Sequence, residues 1–321
     1  MTYELFLGDA LDFMRGLKPE SIDCAIIDPP YYNVVKAGWD NQWATLDDYL
    51  QWIDTLAIEW RRLLKPNGSL YVFGDDKTAA YVQVTLDKRF LLLNNIVWYK
   101  TNNQPVKNAQ NFRSYAPMTE RILFYSAQYD PTGWETVKLD MNNFMELREY
   151  FRQYQDAIGL NIKQINSALG HRRAEHAFYW GSTQWDLPTS EVYEQIQALP
   201  MAKPFVPRDY EALRRDYEAL RRTFNADTKT FDVISGPIVS QSENTDHPTT
   251  KPLWLLKRLV AVSTNPGDSV LDCTMGSGTC GVASVTLGRN FYGSDIDAGY
   301  HAIATRRLAA AAAQPLLPGV G

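Results

Sequence analysis

Ile22-Asp23-Cys24-Ala25-Ile26-Ile27 runs without a break into Asp28-Pro29-Pro30-Tyr31, and the reading of this stretch decides the fold. The apolar run predicts a short buried strand. Two consecutive prolines lack the N–H groups and the φ freedom to continue a ladder, so the strand stops there and the corner after it is stiff. A carboxylate, a carbonyl-bearing corner and an aromatic ring are thereby expected at the C-terminal edge of a parallel sheet. Open α/β folds bind their ligands at that edge.

The tetrad suits one chemistry in particular, methylation of an exocyclic amino group on a base. The lone pair of such an amine is delocalised into its ring, which makes the nitrogen a poor nucleophile. Acceptors on Asp28 and the Pro29 carbonyl could each take one N–H, localise the lone pair and aim it at an electrophilic methyl, with Tyr31 stacking on the ring. The plain alternative is a strand-ending turn in which Asp28 caps a neighbouring backbone group.

Around this stretch the chain alternates strands and helices. Tyr3–Leu7 predicts a strand, Gly8-Asp9 a turn, and Ala10–Leu17 a helix. Residues 32–45 carry no period and predict a long loop over the site. Asp47–Leu64 is amphipathic, with Tyr49, Trp52, Ile53, Leu56 and Trp60 on one face, and stops at Lys65-Pro66-Asn67-Gly68. A strand (Ser69–Phe73), a helix (Lys77–Leu86), a strand (Leu91–Tyr99), a polar loop (Asn102–Pro117) and a strand (Glu120–Ser126) follow. The alternation predicts a doubly wound, mostly parallel α/β sheet.

Composition changes after Tyr129. Helices are expected over Phe144–Gln155 and Asn161–Leu169, with a third over His171–Trp180 and a fourth from Thr189-Ser190-Glu191 to about Leu199. Short helices separated by tight turns look like a helix-turn-helix unit. The basic, aromatic stretch 171–180 stands where its recognition helix would lie, which makes His171, Arg172, Arg173 and His176 candidate DNA contacts. The alternative is a small helical insertion with solvated arginines. Residues 208–221 hold a perfect seven-residue duplication, Arg-Asp-Tyr-Glu-Ala-Leu-Arg, which predicts a helix with one apolar seam serving as a spacer, a docking helix or a self-association contact. The expected division is therefore 1–126, an inserted helical region 127–246, a second α/β part 247–312 and a flexible tail 313–321.

The second α/β part repeats the logic of a ligand pocket. A helix is expected over Leu253–Ser263 after His247-Pro248-Thr249-Thr250-Lys251-Pro252, then a strand Ser269–Asp272, the turn Cys273-Thr274-Met275-Gly276-Ser277-Gly278-Thr279, a helix, and a strand ending in Asp295. Gly276 and Gly278 would let the backbone approach a ligand, and Asp295 would hold ribose hydroxyls. The third glycine of a dinucleotide fingerprint is missing, and no Gly-Lys-Ser/Thr is present to hold phosphates, so a nucleoside with an amino-acid end fits better than a pyrophosphate. The alternative for Asp295 is a cap for the last helix.

The composition sets wide limits. At 321 residues and 45% hydrophobic, the chain can bury a large α/β core with a smaller inserted region. A net charge of −5 and a pI near 5.5 argue against a non-specific polycation without excluding nucleic acid. Three cysteines without metal spacing and four scattered histidines point to reduced thiols and no metal site. With no membrane-length apolar run and no signal-peptide character at Met1-Thr2-Tyr3-Glu4, a cytoplasmic protein is expected.

Taken in order, these motifs resemble the β class of amino-methylating DNA methyltransferases, adenine-N6 type, over residues 3–126 and 247–309. Asp28-Pro29-Pro30-Tyr31 matches the class's catalytic motif, a Ser in first place being commoner in cytosine-N4 enzymes. The resemblance implies a Rossmann-like fold that uses S-adenosyl-L-methionine. It further implies cofactor contacts by Asp9 and Ala10 near the adenine, Thr249 and Lys251 at the methionine part, and Asp28. Asp272, Cys273, Thr274, Gly276, Ser277, Gly278 and Thr279 would form the cofactor loop, with Asp295 on the ribose. Gly159–Trp180 resembles a small phage-repressor DNA-binding unit. In two places the chain departs from the class: Cys273-Thr274 replaces a Pro-Phe pair, removing a ring contact to the cofactor, and Asp295 replaces a Glu.

The expected reaction binds double-stranded DNA, flips one adenine, and transfers methyl directly to N6 without a covalent enzyme intermediate or metal. The same site on cytosine N4 or on RNA is the nearest alternative. A DNA-binding regulator with an inactive methylase domain is another, of a different class. A bacterial or phage setting, a homodimer through the heptad pair and a cognate restriction endonuclease are further readings the class leaves open.

Overall fold

The computed structural model describes residues 1–33, 42–102, 113, 115–127, 144–182, 184–239 and 250–314. Much of the two long loops expected over 32–45 and 102–117, the candidate Thr249 and most of the tail lie outside the described residues. Among the described residues eight strands form one sheet: β1 (Tyr3–Leu7), β2 (Ile22–Ile27), β3 (Leu64–Gly74), β4 (Leu91–Lys100), β5 (Thr119–Ser126), β6 (Val233–Gly236), β7 (Ser269–Asp272) and β8 (Asn290–Asp295). Their spatial order is β1-β8-β7-β2-β3-β5-β4-β6. β5 runs antiparallel to β3 and β4, and the other pairings are parallel. The helices, in chain order, are α1 (Ala10–Gly16), α2 (Leu46–Leu63), α3 (Ala79–Leu86), α4 (Met145–Ile158), α5 (Ile162–Leu169), α6 (Ser190–Gln197), α7 (Tyr210–Leu220), α8 (Leu253–Ser263), α9 (Thr279–Thr286) and α10 (Ala298–Ala312).

The two-residue alternation of β2 shows why helices cover both faces. Ala25 and Ile27 pack in one cluster with Phe13 and Met14 of α1 and Ile53, Leu56 and Trp60 of α2. Cys24 and Ile26 pack in another with Leu255 and Leu259 of α8, Ala283 of α9 and Ala304 of α10. A strand apolar on both sides needs cover on both sides, as the unbroken apolar run foretold. α2 starts at a reciprocal Thr45–Asp48 capping box, with Asp47 in its first turn and Arg61 and Arg62 in its last, so sequence and helix dipole agree.

Two features of the sheet differ from the sequence reading. β3 begins at Leu64, directly after α2, and the pairing jumps from Ile22 opposite Leu64 to Cys24 opposite Ser69. Lys65-Pro66-Asn67-Gly68 is absorbed there as a bulge, which lets proline sit where no ladder bond is needed. β6 carried too little apolar pattern to be expected, yet it pairs with β4 through Val97–Val233 to Lys100–Gly236.

The chain divides into one unit made of residues 1–133 with 223–321 and a second spanning Trp134–Arg222. The second is therefore shorter than the expected 127–246, because β6 belongs to the sheet. Its core gathers Phe151, Tyr154, Ile165, Phe178, Tyr193, Ile196 and Leu213. The expected helix over 171–180 is corrected: only Glu175–Phe178 is helical, as a 3-10 turn. Gly170 ends α5 in the left-handed region, and His171 through Arg173 follow as a bend held by side chains. Arg172 pairs with Glu175 (2.9 Å) and the His171 ring bonds Gln195 (2.7 Å), ties that replace a helical ladder.

Candidate functional site

β2 leads into its helix on one face of the sheet and β7 leads into α9 on the other, so the strand order reverses between them. Ligands of open α/β sheets bind outside the carboxyl ends of strands at such a reversal. Asp28 follows the last residue of β2 and Asp272 ends β7, and both line one cavity with Pro29, Pro30 and Tyr31. The cavity opens to solvent, with about 1330 Å³ of empty space counted out through its mouth.

A five-membered polar cluster gathers at the side of the cavity lined by Asp28, Tyr31 and Lys251. The Lys251 ammonium lies 2.6 Å from Asp28 Oδ2 and 3.0 Å from Glu120 Oε1. The Tyr31 hydroxyl is 2.9 Å from Asp28 Oδ1 and 2.6 Å from Glu120 Oε1. Lys100 closes the cluster on Glu120 Oε2 at 2.8 Å. The Lys251 ammonium also sits over the Phe73 ring, 5.1 Å from its centroid. Burial pushes the Asp28 carboxyl above its ordinary range, with Lys251 pulling against it. Burial would raise Glu120 too, but two ammonium groups, Lys251 and Lys100, hold it at about 2. Glu120, with two cations, is the firmer anion, and Asp28, with one, is the carboxylate closer to taking a proton. Lys251 stays a cation, since its two carboxylates outweigh the burial that would lower it.

The other side of the cavity is built by the turn after β7 and the end of β8. Thr274 Oγ1 donates to the Asp28 carbonyl (3.1 Å), and its N–H donates to Asp272 Oδ1 (3.2 Å). Burial, with Asp28 and Asp295 nearby, pushes the Asp272 carboxyl well above its ordinary range. The Asp295 carboxylate accepts from the N–H groups of Gly276 and Asp297, both at 2.8 Å. Asp9 caps α1 through Leu11 N (2.8 Å), and Gly8 N donates to the Asp295 carbonyl (2.9 Å), which joins the start of the chain to the end of β8. Ser277 and Thr279 bond Arg307. Burial, eased by an indole N–H bond from Trp60, pushes the Cys273 thiol up to about 12, so it is no nucleophile near neutrality.

Most candidates named from sequence converge here: Asp9, Ala10, the Asp28–Tyr31 tetrad, Lys251, Asp272 through Thr274, Gly276, Ser277, Thr279 and Asp295 all line the cavity. Gly278 does not. It sits at φ +76°, and a Cβ there would come 2.8 Å from Ala304 Cβ, so its smallness serves the packing of α9 on α10. Lys251 was expected at the methionine part of the cofactor, and its ammonium rests on Asp28 and Glu120. Glu120 and Lys100 escaped sequence reading. Glu120 looks like an ordinary strand charge, and the only hint is an acid facing inward where the neighbouring inward positions are apolar. His171, Arg172, Arg173 and His176 belong to the second unit. There Arg172 and Arg173 pair with Glu175 and Glu191, and His176 bonds the Gln184 carbonyl.

Comparison with known proteins bears on this geometry. A family model described as DNA methylase matches residues 22–306. The chain is 27% identical over 297 residues to the type II methyltransferase M1.MboII of Moraxella bovis, covering 91% of each protein. It is 26% identical over 304 residues to the DNA adenine methyltransferase YhdJ of Escherichia coli, covering 94% of this chain and 81% of that protein. In fold it is similar to M1.HpyAVI, solved as a SAM complex (TM-score 0.53, 20% identity, 96% of this chain and 100% of that one). The cytosine-N4-specific PvuII DNA methyltransferase is equally close in fold (TM-score 0.55, 15% identity, 96% and 86%).

Proposed function

The chain belongs to the DNA methylase family, and from that premise we propose that it transfers a methyl group from S-adenosyl-L-methionine to N6 of an adenine flipped out of duplex DNA. The observation that carries this reading is the shared cavity of Asp28 and Asp272 at the strand-order reversal. The charge lining that cavity fits the cofactor. Among the described residues, Asp9, Asp28, Asp272, Asp295 and Asp297 face it against the ammonium of Lys251, a balance that suits a cationic ligand and opposes a polyphosphate. Bound there, the cofactor supplies an electrophilic methyl group.

The chain's own residues do the rest. Asp295 holds ribose hydroxyls, and Asp9-Ala10 border the nucleoside end. Asp28 and the Pro29 carbonyl accept the two N–H groups of N6, and Tyr31, its hydroxyl anchored, offers its ring to the base. The nitrogen becomes cationic on alkylation and must shed a proton. Asp28, raised by burial, is the nearest base able to accept it. Removing the base from the stack is required because N6 cannot reach the cavity from within a duplex. Adenine is favoured by the Asp that opens the tetrad and by the name of the E. coli relative.

In the second unit Arg172 and Arg173 are offered as phosphate contacts. Their side chains are 78% and 54% exposed, and surface ion pairs of this kind are weak enough to be exchanged for a phosphate. The test is nucleoside mass spectrometry on adenine-unmethylated DNA incubated with the protein and S-adenosyl-L-methionine. N6-methyladenine is expected, and Asp28→Ala should abolish it while cofactor affinity stays within about twofold. N4-methylcytosine would overturn the base assignment. No modified nucleoside, with DNA still bound, would favour a regulator.

A further inference from the structure

Glu120 has no part in the reaction as described, yet it is the most heavily partnered acid of the site. It stands near the start of β5, opposite Trp98, with 6% of its surface exposed. A carboxylate so buried is costly unless it is paired and hydrogen-bonded, so its position calls for a reason. Its partners supply one. Both donors that reach Asp28 also reach Glu120: the Tyr31 hydroxyl is 2.6 Å from Glu120 Oε1 against 2.9 Å from Asp28 Oδ1, and Lys251 spans the two carboxylates at 3.0 and 2.6 Å.

A tyrosine hydroxyl carries one hydrogen and can donate it to one carboxylate at a time. Without Glu120, that hydrogen would go to Asp28 Oδ1 and the undivided Lys251 charge to Asp28 Oδ2. Asp28 would then meet an incoming amino group with a donor already on each oxygen and its negative charge drawn off. From the shared donors we infer that Glu120 is a positioning residue, an acceptor that draws the Tyr31 hydrogen and part of the Lys251 charge away so that Asp28 Oδ1 stays a strong acceptor for the amino group. Lys100 on Oε2 keeps Glu120 anionic for this purpose without touching Asp28's partners. The higher acidity of Glu120 relative to Asp28 agrees with such a division.

This inference rests on the amino-methylation reading, and the test separates the two. Single-turnover methyl transfer is measured for wild type, Glu120→Gln, Tyr31→Phe and the double variant, alongside S-adenosyl-L-methionine affinity by calorimetry. Glu120→Gln should slow transfer about 10- to 100-fold with cofactor affinity within about twofold. In the Tyr31→Phe background, where no hydroxyl hydrogen competes for Asp28, the same substitution should cost several-fold less, the coupling expected of groups that share one hydrogen; a loss of rate at unchanged cofactor affinity is what a general structural defect would not give. Should Glu120→Gln fail to fold, Glu120→Asp retains the charge but draws the carboxylate back from Tyr31, and its rate should fall in the same direction. Wild-type rates in either Glu120 variant, or equal losses in both backgrounds, would overturn the role of Glu120. A wild-type protein that methylates no amino group would overturn the underlying reading instead.

Discussion

Thr274 stands where the related class carries an aromatic ring, and its hydroxyl has a use the ring could not have: it holds the Asp28 carbonyl at 3.1 Å. That bond ties the turn after β7 to the residue that precedes the Pro-Pro corner. Thr274→Val keeps the shape and deletes the donor, so it should slow single-turnover transfer by about 3- to 10-fold, the worth of one hydrogen bond near 1 kcal/mol. Cofactor affinity should change less, and a loss confined to affinity would show that Thr274 serves the ligand alone. Asp272 invites a pH test. Its folded-state pKa is raised by burial, so ionising it costs stability above the folded pKa and costs nothing below the unfolded value. Asp272→Asn, whose carbonyl can still accept from Thr274 N, should therefore melt higher than wild type at about pH 8, the gap closing as pH falls toward about 3.8. Equal melting temperatures across that range would show the charge to be compensated. Such a gain would be typical of a functional site that gives up stability for its chemistry.

Among the elements, the duplicated heptad and the basic stretch before it show how far residue spacing reports the backbone. The three- and four-residue spacing of Tyr210, Leu213, Tyr217 and Leu220 correctly foretold α7, and Asp209 caps it through Ala212 N. The seam faces its own unit: Leu213 is fully buried beside Tyr193 and Phe151, and Tyr217 bonds Asp186. The apolar side thus packs inward, as the docking-helix reading expects. Leu213→Ala should cost about 2–5 kcal/mol of stability, read by denaturant titration, without changing the oligomeric state seen by light scattering. A shift in oligomeric state at unchanged stability would reverse that conclusion. His171–Trp180 departs from its expected backbone. Ala174, Ala177 and Phe178 are spaced as on a helix and are indeed buried, but only a 3-10 turn forms, since local side-chain bonds compete with the ladder. Spacing reports which residues turn inward and says less about the backbone that turns them.

At the scale of the whole molecule, what the sequence revealed was local and what it concealed was convergence. Asp28-Pro29-Pro30-Tyr31, the turn after β7 and Asp295 each announce themselves as short strings beside a strand. Glu120 and Lys251 join Tyr31 from 89 and 220 positions away. Glu120 reaches this edge of the sheet because β5 runs antiparallel between β3 and β4, a reversal that no local pattern encodes, and Lys251 arrives from the segment before α8. The second unit was legible as an insertion by its change of composition, and its limits, Trp134–Arg222, came from where the sheet resumes. Several of its helix ends are capped. A reciprocal capping box joins Asn161 and Gln164, Thr189 and Asp209 cap the next two helices, and Gly159 and Gly170 end α4 and α5 in the left-handed region. Tyr150 and Tyr193 bond each other across a core of aromatic rings. A chain longer than about 55–65 residues with such a core can fold alone. Residues 134–222 expressed by themselves should therefore give a helical spectrum and a cooperative thermal transition. A fragment that melts without cooperativity would mean that its aromatic cluster cannot by itself offset the entropy of ordering the chain.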